Sequence, residues 1–105
     1  MQQHTLTIGL NDKDTYKQIY TTKQAIARIS SVLQQHTSGY TIRQAQGGYT
    51  HDDGTFVTER TLIVDIIQNL PRKAIKQLIN DIKAPQCLNQ ESIIYKKSRA
   101  KGVFL

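Results

Sequence analysis

The spacing of apolar residues changes repeatedly along this sequence, and each change marks a different kind of element. Residues 55–67 carry the clearest strand pattern, in which Leu62, Val64 and Ile66 alternate with neighbours that point to the other side. Residues 5–10 alternate in the same way. Around residues 22–35 and 75–82, apolar residues recur every three or four positions, which is typical of amphipathic helices. The chain therefore alternates between strands and helices that each have one apolar side.

Turn-forming residues complete the set of strands. Residues 40–46 predict a second strand, and Gly47-Gly48 after it predicts a bend, a bulge or a close approach of two backbones. Asp53-Gly54 predicts a hairpin, because this dipeptide readily accepts positive φ. Residues 91–95 predict a last strand.

Capping residues suggest where the helices begin and end. Thr21 or Thr22 is expected to cap the first helix through its hydroxyl, and Gly39 is expected to end it in the left-handed conformation. Asn69 is expected to cap the second helix, with Pro71 close to its first position and Pro85 stopping it.

The element order predicts an α+β fold. Strand, helix, two strands joined by a hairpin, helix and strand is the order of the ferredoxin-like β-α-β-β-α-β sandwich, with two helices on one face of a four-stranded antiparallel sheet. With 105 residues, the chain has the usual size of one domain. We therefore expect a single domain over residues 1–105, with a basic C-terminal segment at residues 96–101.

The sheet face that the helices leave bare has a mixed composition in the third strand. It is too apolar to suit water well and too polar for a core. Either a second copy or another partner covers this face, as in a sheet-to-sheet homodimer, or the face is partly solvated with scattered isoleucines. The predicted partner or dimer face consists of Glu59, Thr61, Ile63, Asp65 and Ile67.

Positive charge is concentrated in the last third of the chain. Of 14 basic and 8 acidic side chains, six of each lie in residues 1–71, so the whole net charge of +6 lies after Pro71. Such an asymmetry favours a polyanion partner, although a solvated surface gives the same pattern. The residues predicted to bind a nucleic acid or another polyanion are Arg72, Lys73, Lys76, Tyr95, Lys96, Lys97, Arg99 and Lys101.

Three segments carry a family resemblance. Residues 48–54 (GYTHDDG), 59–64 (ERTLIV) and 88–93 (LNQESI) resemble a family of small bacterial proteins without an assigned reaction. The resemblance implies the ferredoxin-like fold and spans most of the chain. The basic residues after Tyr95 depart from the family's pattern.

Few residues are arranged for catalysis or for metal binding. His4, His36 and His51 lack the spacing of a metal site, and Cys87 has no base beside it in sequence. The hairpin residues Tyr49, His51 and Asp53 are candidates for a site, although a polar turn accounts for them as well. We predict no catalytic residue, no metal and no cofactor.

Three functions remain open, with a non-catalytic role favoured over an enzyme. The first is a binding or inhibitory module that acts on a nucleic acid or nucleoprotein through the basic C-terminal third. Small basic proteins encoded on bacterial mobile elements are of this type, and an anti-CRISPR antagonist is one form. The second is an oligomeric regulatory protein that senses a small molecule on the open sheet face. The third is a small enzyme that uses Arg43, Tyr49, His51 and Glu59 near the 47–59 hairpin.

The location that we expect is the cytoplasm. The sequence has one cysteine, which cannot pair within the chain, and its first residues do not form a secretory signal. No apolar run approaches the length that a membrane span needs, so no membrane partner is expected.

Overall fold

A computed structural model describes residues 1–99 and 101 of the chain. The elements are β1 (Gln2–Gly9), α1 (Thr22–His36), β2 (Thr41–Thr50), β3 (Phe56–Ile67), α2 (Arg72–Lys83) and β4 (Ile94–Arg99). This order confirms the predicted α+β ferredoxin-like fold. Ala100, which belongs to the predicted basic segment, lies outside the described residues, as do residues 102–105.

The four strands form one antiparallel sheet in the order β2-β3-β1-β4. Leu6 on β1 lies opposite Val64 on β3, and their side chains point to the same face because directly paired residues share a face. The buried residues of both helices pack against this face. The core consists of Leu6, Ile8, Leu10, Ala25, Ile29, Leu33, Leu62, Val64, Ile66, Leu78, Ile82, Cys87 and Leu88.

The β2–β3 hairpin extends beyond the rest of the sheet. Pairing of β1 with β3 stops at Gly9 and Thr61, whereas β2 and β3 remain paired as far as Thr50 and Phe56. Residues 46–60 therefore form a hairpin arm that projects past the end of β1. Gly54 at its tip has a φ of 88°, which confirms the positive φ expected of the Asp-Gly turn.

The two predicted helix boundaries that relied on Gly39 and Asn69 are wrong. Helix α1 ends at His36 and is followed by Thr37 in an extended conformation, so no left-handed residue is needed at position 39. The Asn69 Oδ1 accepts a hydrogen bond from the Gln2 N–H instead of capping α2. The cap at the start of α1 is Thr21, whose hydroxyl accepts from the Gln24 N–H in a capping box.

The predicted second strand ends too early, and the predicted last strand begins and ends too early. β2 continues through Gly47 and Gly48 in regular register, without the predicted bend or bulge. What approaches both glycines closely is a side chain of β3, and not a second backbone as the third alternative had it. A Cβ at Gly47 would lie 2.8 Å from Thr61 Oγ1, and one at Gly48 would lie 2.6 Å from Phe56 Cζ. β4 begins at Ile94 rather than at residue 91, so the basic residues 96, 97 and 99 lie within this strand.

Candidate functional site

The predicted partner face lies on the side of the sheet away from the helices. Five β3 residues point to this side, which we call the open face: Glu59, Thr61, Ile63, Asp65 and Ile67. Asp65 accepts hydrogen bonds from Thr5 Oγ1 at 2.7 Å and from Arg43 Nη2 at 3.2 Å. Burial raises the pKa of Asp65, but its hydrogen bonds and the charge of Arg43 outweigh burial and hold the pKa below its usual value.

A cleft of about 730 Å³ lies on the open face, where the hairpin arm passes the end of β1. Its walls come from three parts of the chain: residues 7–16, residues 45–63 and residues 90–94. The three segments that carry the family resemblance contribute Tyr49, Glu59 and Gln90 to these walls. The fold therefore brings motifs that are far apart in sequence to one place.

Glu59 lies in the cleft next to the last residue of β1. A Cβ built on Gly9 would lie 2.3 Å from Glu59 Oε1, so only glycine leaves room for the carboxylate in this position. The N–H of Asn11 donates a hydrogen bond of 3.1 Å to Glu59 Oε2. The carboxylate is thus fixed over the end of β1, with one oxygen held by the backbone.

Three aromatic rings line the same cleft. The ring of His51 makes edge-to-face contacts with Tyr49 and Tyr16, at centroid distances of 5.0 and 5.1 Å. Tyr49 and His51 belong to the hairpin arm, and Tyr16 reaches them from the loop after β1. Sequence analysis missed Tyr16, because it lies in a polar, turn-rich stretch with no pattern of its own.

The loop that carries Tyr16, residues 11–18, is held by a buried carboxylate. Asp12 is 7% exposed and accepts hydrogen bonds from Asn89 Nδ2 at 2.7 Å and from the N–H groups of Asp14 and Thr15. The Asn89 hydrogen bond is the largest cause that lowers the pKa of Asp12. Gln90 Nε2 donates to the Asn11 carbonyl at 2.8 Å. These contacts join the loop to the segment that follows α2.

The residues predicted for an enzyme are only partly brought together. Tyr49, His51 and Glu59 share the cleft, but Arg43 lies farther along β2, where it pairs with Asp65. Asp53 is at the hairpin tip, where its Oδ1 accepts from the Thr55 N–H at 2.8 Å. That bond lowers the pKa of Asp53 and accounts for the residue as part of the turn.

The predicted polyanion-binding residues do not all lie on one face. On β4, Lys96 lies opposite Thr5 and points to the open face, whereas Lys97 lies opposite His4 and points to the helix side. Arg99 follows Lys97 on the helix side. Tyr95 is also on that side, and its hydroxyl lies 2.7 Å from His4 Nδ1. Burial raises the pKa of the Tyr95 hydroxyl, while the charge of Arg72 acts in the opposite direction and lowers it.

The part of the chain that the structure describes contains no group of three or more histidine, cysteine, aspartate or glutamate side chains that could hold a metal ion. It also contains no helix long and apolar enough to cross a membrane.

Comparison with known proteins shows the fold. No protein-family model matches the chain, and no curated protein matches it significantly. A phage SAM lyase in complex with S-methyl-5'-thioadenosine has a similar structure, with a TM-score of 0.69 and 21% identity over 92% of this chain and 79% of that one.

Two further solved structures are similar to this chain. The periplasmic divalent cation tolerance protein CutA from Archaeoglobus fulgidus has a TM-score of 0.63 and 6% identity, over 99% of this chain and 88% of that one. A DUF3240 family protein from Shewanella baltica has a TM-score of 0.52 and 9% identity, over 99% and 94% of the two chains. At these identities the similarity is one of fold, and it agrees with the fold that the sequence motifs implied.

Proposed function

We propose that this protein binds S-adenosylmethionine in the cleft and cleaves it, releasing S-methyl-5'-thioadenosine. The observation that carries the proposal is the Glu59 carboxylate, held beside Gly9 in a cleft with aromatic walls. The volume of about 730 Å³ lies within the usual range for small-molecule sites. The similar fold of the phage SAM lyase supports the choice of this ligand class.

The chemistry of the cleft suits a sulfonium compound. A sulfonium ion is a cation, and both carboxylates and the faces of aromatic rings attract cations. The substrate also carries an α-ammonium group, so the cleft offers Glu59 to the ammonium cation and the ring of Tyr49 to the sulfonium cation. The adenosyl group, which is planar and partly apolar, suits the remaining aromatic surface of the cleft.

The proposed reaction follows from the identity of the product. S-methyl-5'-thioadenosine retains the methyl and adenosyl groups of the substrate, so the bond that breaks joins sulfur to Cγ of the aminobutyrate chain. The sulfur keeps the electron pair and leaves as a neutral thioether. The carboxylate of the substrate attacks Cγ and closes a lactone. One C–O bond forms, one C–S bond breaks, and no proton changes place.

The protein's main contribution to this reaction is to orient the substrate. The open-chain substrate must fold so that its carboxylate lies behind Cγ, in line with the departing sulfur, and fixing that geometry lowers the barrier by reducing entropy loss. Glu59 is well placed to bind the α-ammonium group, because one carboxylate oxygen is already held by the Asn11 N–H. We assign Glu59 the role of binding and orienting this end of the substrate.

The test measures release of S-methyl-5'-thioadenosine from S-adenosylmethionine by liquid chromatography. The wild type should release it, and Glu59→Gln should lower kcat/KM at least tenfold, equivalent to about 1.4 kcal/mol, because the amide cannot pair with the ammonium group. Asp81→Asn, on α2 in the other layer, is the control for removal of one charge. A wild type that neither releases nor binds S-methyl-5'-thioadenosine would contradict the proposal.

A sensor would use the same cleft without turnover. If the wild type binds S-adenosylmethionine or S-methyl-5'-thioadenosine but releases no product, the protein is a sensor of this ligand class and not an enzyme that cleaves it. A second copy of the chain on the open face is part of both proposed functions, since such a copy would cover the exposed side of the cleft.

The motif segments around the cleft support membership of the bacterial family that they resemble.

Binding of a nucleic acid is a second candidate function, and one placement favours it. Lys97 and Arg99 share the helix side of β4, and Arg72 is close enough to affect the Tyr95 hydroxyl on that side. Alternate residues on a strand are about 6.6 Å apart. That spacing suits successive phosphates of an extended nucleic acid strand. An antagonist of a nucleic-acid machine in the cytoplasm, such as an anti-CRISPR protein, remains one form of this proposal.

A further inference from the structure

Tyr16 has a backbone conformation that tyrosine rarely adopts. Its φ is 58°, in the left-handed region where the Cβ of most residues is crowded. Its side chain is 60% exposed, so burial in the core does not explain the choice of residue. Asparagine or glycine would meet the demands of this backbone with less strain.

The surrounding loop holds Tyr16 in this conformation. Its N–H donates to the Asp12 carbonyl at 2.8 Å, and Asp12 itself is fixed by its hydrogen bond to Asn89. The N–H of Lys13 donates to the Asn89 carbonyl at 3.1 Å. Asn89 also has a positive φ, of 50°. Such strain persists where surrounding contacts determine the conformation, and it is concentrated at functional sites.

The ring of Tyr16 forms part of the cleft wall. It makes a T-shaped contact with His51 at an interplanar angle of 80°, and Tyr49 makes another with His51 at 75°. The exposed ring thus extends an aromatic surface that begins on the hairpin arm and continues onto the loop after β1. Glu59 lines the same cleft and offers the charged contact.

We propose that Tyr16 is a ligand-binding residue whose ring contacts the planar base of the nucleoside ligand. This inference rests on the proposed function, because the ligand class comes from it. With Glu59 binding the amino-acid end of the substrate, the aromatic surface is left for the base. Stacking of a base on an aromatic side chain tolerates any base but requires the ring. The left-handed tyrosine is then retained for binding at a cost in stability.

The test separates binding from folding through three variants. Tyr16→Phe retains the ring, whereas Tyr16→Asn and Tyr16→Gly remove it and suit the left-handed backbone better. We expect the Asn and Gly variants to melt at the wild-type temperature or above it, and to bind S-methyl-5'-thioadenosine at least tenfold more weakly in calorimetry. The Phe variant should bind within about threefold of the wild type.

A ligand that lacks the base shows whether Tyr16 contacts the base or another part of the ligand. S-methyl-5-thioribose should bind the wild type and the Tyr16→Gly variant equally, because only the base contacts the ring. Equal affinity of all variants for S-methyl-5'-thioadenosine would overturn the inference and leave the proposed function standing. Lower melting temperatures of both the Asn and Gly variants with unchanged affinity would also overturn it, by making Tyr16 a packing residue. A wild type that binds neither ligand would contradict the proposed function and this inference together.

Discussion

His4 is a buried imidazole whose two nitrogens both have partners. The residue is 1% exposed, and its Nδ1 lies 2.7 Å from the Tyr95 hydroxyl. Its Nε2 lies 3.0 Å from Gln2 Oε1 and 3.1 Å from the Gln68 carbonyl. Because both groups near Nε2 are acceptors, the neutral ring has its proton on Nε2 and accepts from Tyr95 at Nδ1. Burial lowers the pKa of His4, and the charge of Lys97 lowers it further. The hydrogen bond with the Gln68 carbonyl raises the pKa but does not outweigh burial.

This lowered pKa predicts a loss of stability in mild acid. The unfolded chain takes up a proton at His4 near pH 6.5, whereas the folded chain resists protonation, so unfolding becomes easier as the pH falls below that value. Between pH 7 and pH 5 the wild type should lose up to about 1.4 kcal/mol of unfolding free energy per pH unit from this residue. Urea denaturation at several pH values measures the effect.

His4→Gln provides the comparison for this residue. The Gln variant should be less stable at pH 7 but should show a flatter dependence between pH 7 and pH 5. The contact between His36 and Asp81 is present in both proteins, so its contribution cancels in the difference. Parallel curves for the two proteins would contradict the assignment.

At the scale of elements, β4 shows how a strand divides a charged segment. Its register places Lys96 on the open face and Lys97 with Arg99 on the helix side, because side chains alternate along a strand. The three basic residues of this strand are therefore divided between two faces, with Lys96 on one and Lys97 and Arg99 on the other. If a nucleic acid binds the helix side, the two groups must contribute unequally.

The corresponding prediction compares two double variants with the same net charge. Lys97→Ala with Arg99→Ala should weaken binding to a single-stranded oligonucleotide at low salt about tenfold or more, and should reduce the slope of log K against log salt by about 1.4. The control is Lys96→Ala with Lys23→Ala, which removes one charge from the open face and one from α1. It should change the affinity and the salt slope much less. Fluorescence anisotropy across a salt series measures both quantities. Equal effects of the two double variants would indicate only a general response to net charge.

At the scale of the whole molecule, the described residues form an elongated structure in which the helices cover only one face of the sheet. Its extents are 46 × 25 × 24 Å. Ile94 is 70% exposed, and it lies on the open face opposite Thr7, which in turn lies opposite Ile63. All three residues line the cleft, and the two isoleucines would gain from burial against a second copy.

Light scattering after size-exclusion chromatography tests this association. The wild type should associate as its concentration rises into the micromolar range, and Ile94→Lys should shift the molecule towards the monomer by placing a charge in the contact. Ile19→Lys is the control, because Ile19 is 57% exposed but lies before α1 and outside the sheet. A wild type that stays monomeric at 100 times the lowest measurable concentration would contradict the second copy.

The sequence by itself determined the class of fold, because hydrophobic period is a local property. Alternation at Leu62, Val64 and Ile66 defines a strand, and the stripe of α2 defines a helix, whatever lies next to them. The same reasoning found the Asp53-Gly54 turn and the β3 residues of the open face. It failed at Gly39, Asn69 and the start of β4, where a tertiary contact or the pairing of neighbouring strands decides the boundary.

Only the tertiary structure decided the candidate site. Gly9 and Tyr16 carry no signal in the sequence, and the sequence does not place them near Glu59, with which they line one cleft in the structure. The register of β4 likewise decided which basic residues share a face. Such neighbours depend on contacts between distant parts of the chain, and local pattern has no information about those distances. The sequence therefore specified the elements, and their packing created the cleft.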